Sequence, residues 1–204
     1  VNPKNFKKKI AKYSKDLIIF NALHGTFGEN GELQKILKNN NFKFTHSGVH
    51  SSKTCFDKIK SKNIIMNHKI SSPRFYQVKI NNINEKILNK FKKKFSKFVI
   101  KPNQSGSSFG IRIIKNKKDI KSFLKNIHLY KNEIKNHNTL IIEEYIEGRE
   151  LTVAVLVINK KIQALEVTEI KSKNIFFDYK AKYTKGYSKH ILPAKINKKN
   201  YNQC

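Results

Sequence analysis

The stretch KFVIKPNQSGSSFGIRIIK, residues 97–115, decides how the rest of this sequence is interpreted. Two apolar runs rich in β-branched residues flank a segment of small residues, which is typical of two strands joined by a turn. We therefore predict a β-hairpin whose first strand delivers Lys101 to the mouth of a Gly/Ser loop. A phosphate group or another backbone can approach such a loop closely, because glycine and serine add little bulk.

Apolar periodicity on both sides of this segment predicts a mixed α/β architecture. Helical spacing occurs in GELQKILKNN (31–40), in residues 51–69, in INEKILNKFKKKF (83–95) and in NKKDIKSFLKNI (116–127). In the helix over 51–69, the side chains of Phe56, Ile59 and Met66 are expected near one face. Strands are predicted in DLIIFNAL (16–23), as a run buried in a parallel sheet, and in TLIIEEYI (139–146). A pair of strands turning at Asn159-Lys160 is predicted within residues 150–170.

The chain has 204 residues and a formal net charge of +29, which would ordinarily indicate a polyanionic partner. Only three of its 43 basic residues are arginine, however, and the lysines are scattered among many Asn and Ile. A coding sequence rich in A and T explains this composition at least as well, and specific base readout normally uses the planar fork of arginine. A lysine-rich nucleic-acid-binding module therefore stays open as the alternative from a different class.

The cysteine positions and the short apolar runs argue against a disulfide-bonded, zinc-binding or membrane-spanning protein. Cys55 and Cys204 lie far apart with no CxxC pair, and no His cluster has the spacing of metal ligands, so neither a disulfide nor a structural zinc is indicated. No run approaches the roughly 18 apolar residues of a membrane span, and the first residues lack the apolar core of a signal peptide. We expect a cytoplasmic protein.

Five segments, taken in order, resemble successive motifs of the D-alanine–D-alanine ligases of the ATP-grasp superfamily. They are HGTFGENGELQ, SGVHSSKTCFDKIKSK, FVIKPNQSGSSFGIRIIK, IIEEYIEGRELTVAVL and FFDYKAKYTKGYSKHILPA. The resemblance implies a fold of class α/β (α+β), namely an ATP-grasp fold with part of an N-terminal parallel-sheet α/β domain. It divides the chain into the remainder of that domain (1–49), a central ATP-grasp subdomain (50–145) and the first part of a C-terminal subdomain (146–204).

The resemblance also implies an ATP site spread over both ATP-grasp subdomains. A cation held beside a phosphate stabilises the charge that shifts during phosphoryl transfer. The positions that match phosphate-binding lysines are Lys58, Lys101 and, on a lid loop, Lys182, and Gly106 and Ser108 match the loop over the phosphates. Glu143, Glu144 and Ile146 match residues at the adenine, and Glu150 matches the residue at the ribose. At Glu144, where some relatives have lysine, only a backbone contact is expected.

For the amino-acid substrates, the resemblance assigns His24 to the first site and Ser107 with Tyr183 to catalysis. The carboxylate of one D-alanine would attack the γ-phosphate of ATP, and the amine of a second D-alanine would displace phosphate from the acyl phosphate. Tyr183 matches the ligases that form a dipeptide rather than a depsipeptide. Another ATP-grasp ligase, joining a carboxylate to an amine or to a hydroxyl group, stays open as the alternative within this class.

Some family features have no counterpart in the sequence. The Asp, Glu and Asn ligands for Mg²⁺ or Mn²⁺ would lie beyond Cys204, so no metal ligand is assigned in this chain. His46 and Phe56 stand where glycine and methionine are common. The resemblance therefore implies an internal fragment, expected to be inactive alone, of a bacterial enzyme that is a homodimer at full length. D-alanine is its expected partner, with neither nucleic acid nor a membrane.

Overall fold

The computed structural model describes residues 2–135, 137–174 and 177–204. The chain divides between Tyr145 and Ile146 into a first and a second unit. The helices of the first unit are α1 Pro3–Ile10, α2 Thr26–Glu29, α3 Glu32–Asn39, α4 Val49–Phe56, α5 Lys58–Asn67, α6 Glu85–Phe95, α7 Lys117–Lys125 and α8 Ile127–Ile134. Its strands are β1 Ile18–Ile19, β2 Lys43–Phe44, β3 Phe75–Lys79, β4 Phe98–Pro102, β5 Arg112–Ile114 and β6 Thr139–Glu144.

The main sheet of the first unit is antiparallel, with strand order β3-β6-β4-β5. Strands β4 and β5 pair directly, with Ile100 opposite Arg112, so the predicted hairpin is confirmed. Side chains alternate between the two faces of a strand. Phe98 and Ile100 are fully buried in the main core, and Val99 and Lys101 therefore lie on the opposite face of the sheet.

Helices α6 and α7 form where the periodicity predicts them. Asn84 caps α6 by accepting a hydrogen bond from the backbone of Ile87 at 3.0 Å. Leu88 and Phe91 then recur at helical spacing and are buried in the main core. Helix α7 begins with a capping box, in which the side chain and backbone of Asn116 are both paired with residue 119. These helices cover the apolar face of the sheet.

Residues 51–69 do not form the single predicted helix. Helix α4 ends at Phe56 and α5 begins at Lys58, because Asp57 adopts an extended conformation (φ −87°, ψ 102°). Its side chain caps α5 by accepting from the backbone of Lys60 at 3.1 Å, and its backbone forms a β-bridge with Gln104. Met66 is 50% exposed and does not share a buried face with the others.

The run DLIIFNAL forms a parallel strand pair as predicted, with Ile18 opposite Lys43 and Ile19 opposite Phe44. The strand is not buried as predicted. Only two residues form the strand, and Ile18 is 65% exposed because its sheet has a single partner strand. A second small core lies nearby, formed by Ile10, Leu33, Leu37 and Phe42.

The second unit is mainly strands. They are β7 Glu150–Thr152, β8 Val155–Ile158, β9 Lys161–Ala164, β10 Thr168–Ser172 and β11 Ser188–Ile191, with helices α9 Tyr179–Tyr183 and α10 Lys198–Tyr201. Strands β8 and β9 form the hairpin predicted at Asn159-Lys160, where both residues have positive φ. Residues 150–170 contain four strands rather than two, because Leu151 pairs with Glu169 in the separate sheet β11-β10-β7.

Within the described residues, none of the helices combines the length and apolar character that crossing a bilayer requires.

Candidate functional site

The loop between β4 and β5 is fastened at its start by Asp57. The Asp57 carboxylate accepts hydrogen bonds from Asn103 Nδ2 at 3.0 Å and from Gln104 Nε2 at 2.9 Å. Asn103 is itself buried and accepts from the backbone of Ile59 at 2.9 Å. Burial raises the pKa of Asp57, but the hydrogen bonds from Lys60, Gln104 and Asn103 outweigh it, and the net pKa lies below its ordinary value. These hydrogen bonds therefore join the loop base to the start of α5.

The far end of the loop is fastened as well. Gly110 has φ +69°, and a Cβ atom there would lie 2.8 Å from Pro102 Cγ, so no larger residue fits without displacement. The hydroxyl of Tyr130, which is buried, donates to the Gly110 carbonyl oxygen at 2.8 Å. Between the two ends, Ser107 and Ser108 both have positive φ (51° and 60°). Non-glycine residues in this region are uncommon and mark a constrained loop.

The tip of the loop lies against α2. A Cβ atom on Gly106 would come within 2.5 Å of Glu29 Oε2, and the same oxygen accepts a hydrogen bond from the Gly25 backbone at 2.8 Å. A Cβ atom on Gly106 would therefore displace the Glu29 carboxylate from its present position.

Lys58, the first residue of α5, reaches back to the loop. Its ammonium group donates to the Ser105 carbonyl oxygen at 2.7 Å and to the Asn103 carbonyl oxygen at 3.3 Å. Burial, followed by the positive charge of Lys101, lowers the pKa of Lys58 to about 8, although the charges of Glu143, Asp57 and Glu29 act in the opposite direction. An anion placed beside Lys58 would favour its charged form.

Lys101 and Glu143 meet on the face of the sheet that points away from the main core. Lys101 lies opposite Ile141 and Val99 opposite Glu143, so Lys101 and Glu143 are diagonal neighbours on one face. Their side chains form an ion pair in which Lys101 Nζ donates to Glu143 Oε1. The other carboxylate oxygen, Oε2, lies 3.1 Å from Lys62 Nζ but is buried and accepts no well-directed hydrogen bond.

Glu144 projects to the opposite side of the strand from Glu143. It pairs with Arg74 in a two-pronged contact, from Nε at 2.9 Å and from a terminal nitrogen at 3.0 Å. The hydrogen bond from Arg74, and secondarily its charge, lower the pKa of Glu144. The Glu144 backbone N–H donates to the Arg74 carbonyl oxygen at 2.9 Å. The two successive glutamates therefore have different surroundings.

A cavity of about 580 Å³ lies beside the loop in the first unit. His24, Lys58, Ser105 and Gly106 all line it, so the structure brings the candidate substrate residue His24 into one cavity with the first lysine and the loop tip. His46 also lines this cavity, and its two ring nitrogens are buried without a hydrogen-bond partner. Burial lowers the pKa of His46.

The candidate residues of the second unit lie on three different segments. Ile146 is outside any strand and is 60% exposed, whereas Glu150 begins β7. Burial raises the pKa of Glu150, and the charge of Lys182 opposes that shift. Lys182 and Tyr183 belong to the short helix α9 rather than to a loop, because Asp178 caps it by accepting from the Ala181 backbone at 2.8 Å.

Sequence reasoning missed Asp57, Asn103, Gln104 and Lys62. The only signal for Asp57 was its place directly before Lys58, and Lys62 is one lysine among 40-odd basic residues. Among the residues that the structure describes, no three His, Cys, Asp or Glu side chains gather as a metal site. The donors present here therefore do not fit the magnesium ions that the resemblance implies.

The fold of this chain is similar to that of solved ligase structures. The fold matches D-alanyl-alanine synthetase A from Vibrio cholerae with a TM-score of 0.74 at 20% identity, over 91% of this chain and 55% of that one. VanG D-Ala:D-Ser ligase from Enterococcus faecalis matches with a TM-score of 0.71 at 31% identity, over 91% and 52% of the two chains. These are ATP-grasp proteins, so the predicted fold class is confirmed.

The family follows from the sequence itself. Residues 64–204 match the family model described as D-ala D-ala ligase C-terminus, and the chain belongs to this family. It is 36% identical to a D-alanine–D-alanine ligase of Fervidobacterium nodosum, over 95% of this chain and 62% of the relative. It is 38% identical to the ligase of Pelagibacter ubique, over 97% of this chain and 61% of the relative. The chain thus spans about three fifths of the length of these curated relatives.

Proposed function

We propose that this chain carries the ATP-binding part, and part of the first amino-acid site, of an ATP-dependent D-alanine–D-alanine ligase. The main supporting observation is that Lys58 and Lys101 lie beside loop 103–110, which is held at both ends, within one unit. Family membership supports it, because the relatives that cover this chain are named as these ligases.

In this proposal the two lysines hold the ATP phosphates. Lys58 exchanges the carbonyl oxygens of Asn103 and Ser105 for phosphate oxygens, which bear more negative charge and form stronger hydrogen bonds. Lys101 supplies a second cation from the end of β4. Gly106 and Ser108 lie in the loop that closes over the phosphates. The loop excludes water from the acyl phosphate, which would otherwise hydrolyse.

The adenosine part of ATP is assigned to four further residues. The buried Glu143 Oε2 accepts no directed hydrogen bond and is a suitable acceptor for the adenine amino group. Glu144 and Ile146 are proposed to pair with the base through their backbone, and Glu150 to bind the ribose hydroxyls. Lys182 is proposed as the third phosphate lysine.

The substrates are assigned to the cavity beside the loop and to two hydroxyl groups. His24 is proposed to contact the first D-alanine in that cavity. Ser107 is proposed to orient the substrate for attack on the γ-phosphate, and Tyr183 to act at the second amino-acid site. The choice of an amine rather than a hydroxyl nucleophile is proposed from Tyr183, which leaves a depsipeptide-forming ligase as the alternative.

The remaining expectations belong to the same proposal. Residues 1–49, 50–145 and 146–204 are assigned to an N-terminal domain, a central subdomain and part of a C-terminal subdomain. The product ends peptidoglycan precursors, so we assign the activity to the bacterial cytoplasm. The homodimer is proposed from the family resemblance alone. Neither nucleic acid nor a membrane is expected as a partner, and Mg²⁺ or Mn²⁺ would be bound outside the residues described.

ATP binding to the 204-residue chain, measured by isothermal titration calorimetry, tests this proposal. Lys101→Ala should weaken binding by roughly 10- to 100-fold, because a hydrogen bond to a charged group contributes about 1.5–3 kcal/mol. Lys86→Ala, which removes an exposed lysine of α6, is the matched control and should leave affinity unchanged. Equal ATP affinity in the Lys101 variant would refute the site. Duplex DNA binding with a steep salt dependence, unaffected by Lys101→Ala, would favour the nucleic-acid alternative.

A further inference from the structure

Lys62 is a buried lysine that no family resemblance assigns to a role. It lies one helical turn after Lys58 on α5 and is only 8% exposed. Lysine is almost never fully buried unless its ammonium group is paired. Here the ammonium donates to Ser72 Oγ at 2.7 Å and to the Pro73 carbonyl oxygen at 3.2 Å, and it lies 3.1 Å from Glu143 Oε2. The two hydrogen bonds use two of its three protons, and the Glu143 carboxylate lies close enough to balance its charge.

The result is one carboxylate between two ammonium groups. Lys101 holds Glu143 Oε1, and Lys62 lies beside Oε2. The side chains of Lys62 and Glu143 are each 10% exposed, and that of Lys101 is 17% exposed, so water screens these charges weakly. One negative charge balances only one of the two positive charges. The cluster therefore keeps a surplus positive charge in a partly buried place.

The two lysines differ in how firmly they are held. The hydrogen bonds to Ser72 and Pro73 fix Lys62 against the segment that leads into β3, and its ammonium lies 5.1 Å from the centre of the Phe75 ring. Lys101, by contrast, donates to the Glu143 carboxylate from the end of β4. Lys62 is thus placed to remain with Glu143 when Lys101 turns to another anion.

We propose that Lys62 is a positioning residue for ATP: it balances the charge of Glu143, so that the Lys101 ammonium is available to a nucleotide phosphate. The inference rests on the proposed function. Without Lys62, Glu143 would depend on Lys101 alone, and moving Lys101 to a phosphate would leave a buried carboxylate uncompensated. A purely structural role, in which Lys62 only fastens residues 72–75 to α5, predicts no specific effect on phosphate recognition.

The experiment compares ATP with adenosine, which shares the base and ribose but lacks the phosphates. The readout is the ratio of the dissociation constant of adenosine to that of ATP, measured by calorimetry on the 204-residue chain. Lys62→Gln keeps a donor for Pro73 but removes the charge, and it should lower the ratio about tenfold. Lys62→Arg keeps the charge and should hold the ratio within about threefold of the wild type. Lys86→Gln, an exposed lysine on α6, is the control and should change nothing.

A double variant tests whether Lys62 acts through Glu143. In a Glu143→Gln background there is no carboxylate to balance, so adding Lys62→Gln should change the ratio less than about threefold. All variants are measured below the lowest of their melting temperatures, so that each is folded during the titration. An unchanged ratio in folded Lys62→Gln, an equal loss in Lys62→Arg, or a further large loss in the Glu143→Gln background would overturn the inference. A wild-type ratio near one would instead refute the proposed phosphate site, and the inference with it.

Discussion

ATP affinity should depend on pH through Lys58. Because the pKa of this lysine is lowered from 10.5 to about 8, the unliganded protein loses the Lys58 proton as the pH rises through that value. A phosphate beside Lys58 favours the charged form and returns the pKa toward 10.5. Binding above pH 8 must therefore take up a proton, and affinity falls as the pH rises. If the ordinary pKa is fully restored, the dissociation constant for ATP rises about eightfold between pH 7.5 and 9.0, which corresponds to about 1.2 kcal/mol.

The assay is calorimetric titration with ATP at several pH values between 7.5 and 9.0, in two buffers of different ionisation enthalpy so that proton uptake is measured directly. Lys58→Gln is the control, since it keeps every other titratable group, including Cys55 in the same cavity. The variant should bind more weakly at pH 7.5 and show a flat profile. A flat profile in the wild type, or the same slope in Lys58→Gln, would refute the assignment of a phosphate to Lys58.

Three further predictions concern the loop and the cavity. Asp57→Ala leaves the buried amide of Asn103 without its acceptor and removes the side-chain cap of α5, so urea unfolding should show a loss of roughly 1–3 kcal/mol; an unchanged midpoint would contradict the proposed fastening. Gly110→Ala should lower the melting temperature, because this residue has φ +69° and the new methyl group would lie 2.8 Å from Pro102 Cγ, whereas Lys86→Ala at an exposed position of α6 should not; equal melting of the two variants would refute the constraint at this end of the loop. His24→Ala should weaken D-alanine binding by calorimetry without changing adenosine binding, and a loss of both would indicate unfolding of the cavity instead.

The elements that periodicity alone determines were predicted well. The hairpin around the Gly/Ser loop and helices α6 and α7 depend on local patterns, namely strand composition, capping residues and apolar spacing. Lys101 could be placed because it ends an apolar strand directly before the loop. In these stretches the local pattern and the tertiary packing agree.

The rest depended on contacts between residues far apart in sequence. The break between α4 and α5 depends on the bonds of Asp57 to residues 103 and 104, about 46 positions later. The local signal, an aspartate able to cap α5, does not by itself end the preceding helix. DLIIFNAL has the composition of a buried strand, but its exposure depends on how many strands pair with it. Lys62 could not be told from the surface lysines, because burial and its carboxylate partner on β6 exist only in the folded chain.

Closure of loop 103–110 over phosphates held by Lys58 and Lys101 can be followed by hydrogen–deuterium exchange of the 204-residue chain, with and without saturating ATP. The backbone amides of residues 105–109 should exchange more slowly with ATP but not with adenosine, and Lys101→Ala should remove the difference. Unchanged exchange in this loop with bound ATP, or equal slowing by adenosine, would rule out closure over the phosphates.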